Sequence, residues 1–149
     1  MPAEKTLGPL QREDLRVVAG MIIPASVEYA VPGADDATIQ ADILATLGRD
    51  AELVRDALDH LARLAGMPLA NLAETAREAV ATQFRASGGT AAATLTRVVL
   101  QCYYRDDRVL RSLGLELRPP FPQGYALEQG DWSLLDPVKA RPSMWRRTS

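Results

Sequence analysis

The stretch from Asp50 to Ala65 constrains the fold more than any other feature of the chain. Val54, Ala57, Leu58, Leu61 and Ala65 recur at the i, i+3, i+4, i+7 spacing, and Asp56, Asp59, His60 and Arg63 fill the opposite side. A period of 3.6 residues collects those five apolar side chains on one helical face. The segment is therefore expected to be an amphipathic helix that buries this face against other helices.

The same period, punctuated by glycine and proline, runs through residues 1–114. Leu15, Val17, Val18, Met21 and Ile22 give a broad apolar face to a helix over Leu10–Ile22, and Pro24 stops it. The turn Val31-Pro32-Gly33-Ala34-Asp35-Asp36 supplies aspartates that cap a following helix, which carries Ile39, Ile43, Leu44 and Leu47 and is closed by Gly48. After Gly66-Met67-Pro68, a helix is expected over Leu69–Arg85, with Leu72, Ala73, Ala76, Val80 and Phe84 inward. Gly88-Gly89 separates it from a helix over Thr90–Tyr104. Its small residues Ala91, Ala92 and Ala93 admit a close neighbour, which places it near the centre. Asp106 caps a short last helix ending at Leu113 and Gly114. No segment alternates with period two, so the expected class is all-α, an irregular bundle of five or six helices.

Residues 115–149 differ in character. They contain 5 of the 10 prolines and both tryptophans, a composition that disfavours helix yet is too aromatic for a solvated linker. An extended tail rich in proline and aromatic residues is expected to lie against either the helical body or another protein.

Composition narrows the chemistry. In 149 residues there are 17 Lys and Arg against 19 Asp and Glu, a net charge of −2, so no surplus cation is available to release counterions from nucleic acid. One Cys and one His exclude a self-contained Cys/His zinc cluster, a disulfide framework and a haem-attachment motif. The longest apolar stretch, Val17–Ala25, is broken by Gly20 and Pro24 and is far short of a membrane span. The opening residues show neither a cationic start with an apolar run nor a twin arginine. The expectation is a cytoplasmic chain, periplasmic only if exported with a partner.

Few residues invite chemistry. His60 follows Asp56 by one helical turn, the spacing of an acid/base pair, but it occupies the polar face, where most side chains meet water. Cys102 stands beside Val98 and Val99 on an apolar face and reads as a packed small hydrophobe. No catalytic or metal-ligating residue is assigned.

The run Tyr103-Tyr104-Arg105-Asp106-Asp107-Arg108 is more telling. Either it ends a core helix and caps the next, or it presents a docking surface, since adjacent tyrosines cannot both enter one core and Tyr and Arg are favoured interface anchors. In the tail, the prolines of Arg118–Tyr125 limit the entropy lost when Phe121 and Tyr125 dock.

Two blocks of the sequence match a known pattern. Val17–Pro24 followed by Val31-Pro32-Gly33-Ala34-Asp35-Asp36-Ala37, and then Tyr103–Val109 followed by Leu113-Gly114 and Pro120-Phe121-Pro122-Gln123-Gly124-Tyr125, resemble the gluconate 2-dehydrogenase subunit 3 family. The resemblance implies a small noncatalytic subunit that binds and helps mature a large FAD-containing sugar or alcohol dehydrogenase of the glucose-methanol-choline type, with no cofactor or metal of its own. Whether a cytochrome subunit joins is left open. The twin-arginine signal that family members can carry does not occur here. On this reading the partner-binding residues are Tyr103, Tyr104, Arg105, Phe121, Tyr125, Trp132 and Trp145. The alternatives are a stand-alone binding or regulatory module and a small enzyme using His60.

Overall fold

Gly8 and Pro9 open the first helix: proline at the first helical position has its φ already set, and Gln11 Oε1 accepts the Gly8 N–H at 3.0 Å. This helix, α1, runs Pro9–Ile22 in the computed structural model, which describes residues 7–118, 124 and 128–142. Then come α2 (Ala37–Thr46), α3 (Ala51–Ala65), α4 (Glu74–Ser87), α5 (Gly89–Tyr103) and α6 (Asp107–Ser112), and a one-turn α7 (Asp136–Lys139). No strand occurs among the described residues. The class is all-α. The chain divides between Leu117 and Arg118, with α1–α6 in the first unit and α7 in the second.

In the first unit α3 and α5 pack most extensively against each other. α1 and α4 each lie against both of them, and α2 lies against α5. Four residues of the α3 stripe, Val54, Ala57, Leu58 and Leu61, are shut off from solvent and Ala65 is partly buried; they share one core with Leu95, Val98, Val99 and Cys102 of α5. Gly66 ends α3 at φ 69°, a left-handed conformation that costs a residue with a Cβ. Asp36 caps α2, accepting from the N–H groups of Thr38 and Ile39, and Asp106 caps α6 through the N–H of Arg108.

One expectation is corrected. The helix anticipated over Leu69–Arg85 begins at Glu74, because Leu69–Asn71 form a separate 3₁₀ turn. Within the tail, Trp132–Leu135 form a 3₁₀ turn that leads into α7. Asp131 caps that turn through the Ser133 N–H, and Pro137 falls in the first turn of α7, where a missing N–H leaves no bond unmade.

The Leu69 turn is held from two sides. Asp14 of α1 is buried and accepts the Leu69 N–H at 2.8 Å, while Arg77 of α4 donates to the carbonyls of Leu69 and Ala70, each at 2.8 Å. Burial pushes the Asp14 carboxyl above its ordinary value, against the opposing pull of the Leu69 N–H. An acid whose pKa is raised by folding favours the folded state below its unfolded value, about 3.9, and this contribution is lost as pH rises through the folded value. Asp14→Asn keeps an acceptor for Leu69 and removes the buried charge. The variant should unfold at higher urea than wild type at neutral pH, and the difference should vanish on acidification. An equal shift at both pH values would show that the charge is not what matters.

Candidate functional site

The corner where α5 turns into α6 gathers the run Tyr103–Arg108 and clamps it to α2. Helical geometry turns the two tyrosines in different directions. Tyr103 is buried and donates its hydroxyl to the Pro32 carbonyl at 3.2 Å, whereas Tyr104 is 52% exposed, its ring edge-on to Tyr103 with centroids 5.2 Å apart. Burial raises the Tyr103 hydroxyl above the usual tyrosine range. The phenol therefore stays protonated and a donor.

Both arginines of the run turn inward to α2. Arg105 binds Asp42 through Nε and Thr46 Oγ1 through a terminal nitrogen at 3.0 Å. Arg108 bridges Asp36, at 2.7 and 3.2 Å, and Asp106, at 2.9 and 3.0 Å. Hydrogen bonds from this guanidinium hold both carboxyls below the ordinary aspartate range and raise the arginine in turn. Each pair alone is half-exposed and worth little, but the shared guanidinium joins α6 to the capped end of α2.

Beside the clamp lies a small pocket of about 290 Å³ lined by Thr38, Ile39, Asp42, Cys102, Arg105 and Asp106. Cys102 is buried, with Sγ 3.5 Å from both Thr46 Oγ1 and a terminal nitrogen of Arg105. Desolvation pushes its thiol up, so the neutral form is favoured and the residue behaves as core.

His60 is half-buried. Its ring stands edge-on to Phe84, with centroids 5.6 Å apart, and Nε2 lies 3.3 Å from Ser87 Oγ. Its hydrogen-bond partner is that hydroxyl and not Asp56. Among the described residues no group of three or more His, Cys, Asp or Glu is placed to hold a metal ion, and no helix is long and apolar enough to cross a membrane.

The seven anticipated docking residues thus fall into three groups. Tyr104 and Trp132 are exposed, Trp132 by 65%, and they belong to different units. Tyr103 and Arg105 are engaged within the bundle, so a contribution from them to docking runs through the placement of Tyr104. Phe121, Tyr125 and Trp145 lie outside the described residues.

Two surfaces of the first unit carry no signal of helical period. One is the loop between α1 and α2, where Ser26 and Val31 exchange a pair of backbone hydrogen bonds at 3.1 Å and present Val27-Glu28-Tyr29-Ala30 as a hairpin tip. Val27 is 97% and Tyr29 66% exposed, and Ala30 sits at φ 51°, a region that residues other than glycine seldom adopt. The prolines and glycine of this segment signalled a turn, but nothing in its residue order signalled the pairing. The other is an open groove of about 1070 Å³ between α1, α4 and α5, floored by Met21, Ile22, Phe84, Ala92 and Leu100. Comparison with protein-family models, curated proteins and solved structures finds no match for the chain.

Proposed function

We propose that the chain is a noncatalytic small subunit that binds, stabilises and helps mature a large FAD-dependent dehydrogenase of sugars or polyols. The observation that supports this most is the turn Trp132–Lys139, on which Trp132, Leu134, Leu135 and Val138 are all left in water. Three large apolar residues and a tryptophan on one capped turn gain substantially from burial against another surface. Of the described side chains that the sequence singles out, Cys102 is packed, Arg105 and Arg108 hold carboxylates, and the ring of His60 stands edge-on to Phe84. The resemblance of the two sequence blocks supplies the identity of the partner. Flavin chemistry belongs to that partner, and this chain contributes interface area.

The test is to express the large subunit with and without this chain and to measure the flavin bound to the soluble fraction. Co-expression should raise both flavin content and activity, and equal values in the two preparations would overturn the reading. Within the complex, Trp132→Ala should weaken binding by about 30-fold, as loss of an interface tryptophan worth about 2 kcal/mol does, while Lys139→Ala should change it little. Equal dissociation constants for the two variants would remove Trp132 from the interface.

A further inference from the structure

We propose that two copies of this chain associate by inserting the Ser26–Val31 hairpin tip of each into the α1/α4/α5 groove of the other. The tip is built to be presented. Its base is fixed by the paired Ser26–Val31 bonds, by the Ala34 N–H on the Ile23 carbonyl at 2.9 Å, by Gln40 on the Ala34 carbonyl at 2.8 Å and by Tyr103 on Pro32. Two apolar side chains on a loop held this firmly lose little conformational freedom on docking. A left-handed alanine at the tip is a backbone cost that the surrounding bonds sustain.

The groove is complementary in both polarity and charge. Its floor is apolar, and its wall along α5, from Gly89 to Leu100, carries the small residues Ala92, Ala93 and Thr96, over about 16 Å of helix. Three charges stand at its rim. Arg97 is already paired with Asp50 at 2.8 Å. Arg85 meets a hydroxyl, Thr82 Oγ1 at 3.3 Å, and no carboxylate among the described residues. Glu78 lies two turns from Arg85 along α4, about 10 Å away, so the end of the groove near Arg85 attracts an anion. The tip carries one charge, Glu28, between Val27 and Tyr29.

Position makes the exchange reciprocal. The groove wall includes Met21 and Ile22, the last residues of α1, and the hairpin starts at Ser26, at most about 14 Å of chain further on. Pro24 and Ala25, just before the hairpin, line one hollow together with Met21 and Glu78, which also line the groove, so the hairpin base and the groove meet at that end and can form a self-complementary patch, as a two-fold interface requires.

Sedimentation equilibrium of the full chain tests this without any other protein. Wild type should approach twice the 16.2 kDa chain mass as concentration rises. Val27→Ser with Tyr29→Ser, and separately Ala93→Arg in the groove, should each raise the dimer dissociation constant about tenfold or more. All three positions are solvent-exposed, so at dilutions where wild type is also monomeric the melting curves of the variants should match it. Glu28→Arg and Arg85→Glu should each weaken the dimer, and the two together should restore it. A wild type that stays monomeric at every concentration, or a dimer indifferent to both tip and groove variants, would overturn the proposal. Weakening by both single charge reversals without recovery in the double would overturn the Glu28–Arg85 pairing.

Discussion

Leu95→Ala should remove about 3–4 kcal/mol of folding stability, a large share of what a domain of this size possesses. Leu95 has no exposed surface and belongs, with Leu58 and Leu61 of α3, to the core between α3 and α5, the two helices that touch the most others. Truncation there leaves a cavity that neighbours on every side are too constrained to fill. Leu100, five residues along the same helix and partly exposed, is the internal comparison: its truncation should cost about 1 kcal/mol or less. Urea unfolding followed by helical circular dichroism measures both. Similar losses at the two positions would mean that the α3–α5 seam is not the centre of the bundle.

The second large effect is expected at Gly33. A Cβ there would stand 2.4 Å from Asp35 Oδ1, 2.8 Å from the Ala25 backbone nitrogen and 3.2 Å from the Ile23 carbonyl. The carboxylate can rotate away, but the backbone cannot, since Ile23 is bonded to Ala34 across this point. Gly33→Ala should therefore cost about 2–3 kcal/mol, the scale of overpacking, and should loosen the hairpin base along with the Tyr103–Pro32 bond. Gly130, where an added Cβ meets open space, should accept alanine without loss. If Gly33→Ala unfolds at the same urea concentration as Gly130→Ala, the loop is softer than its hydrogen bonds imply.

What the residue order discloses, and what it hides, follows from how far apart the interacting groups are. The stripe of α3, the caps at Asp36 and Asp106 and the glycine stop at Gly66 are local matters, decided within a few residues, and all could be anticipated. The start of α4 could not, because Leu69 and Leu72 fit its period. The Leu69 N–H is instead taken by Asp14, 55 positions away. The helical turn at Trp132–Lys139 was hidden for another reason: the prolines disfavour helix in general, although Pro137 occupies a first-turn position that tolerates it.

The candidate site divides in the same way. That one of two adjacent tyrosines must turn outward is a consequence of helical geometry and was legible. That Arg105 and Arg108 would be claimed by Asp42 and Asp36, 63 and 72 positions away, was not, since nothing adjacent to an arginine announces a distant carboxylate. The apolar tip at Val27 and Tyr29 also escaped notice, because two apolar residues in a loop have no period.

Asp36 has a consequence for how this chain tolerates change over generations. Its Oδ1 receives the N–H groups of Thr38 and Ile39 and also a terminal nitrogen of Arg108, whose second contact falls on Oδ2. Asparagine keeps the cap and forfeits the ion pair, and glutamate keeps the charge but sets it one methylene too far out to cap. Arg108 in turn makes paired contacts with both Asp36 and Asp106 through three nitrogens of its fork, a geometry that the single ammonium of lysine does not reproduce. In a saturation library selected for folding, positions 36 and 108 should therefore be retained together, aspartate with arginine, while the exposed positions around them drift.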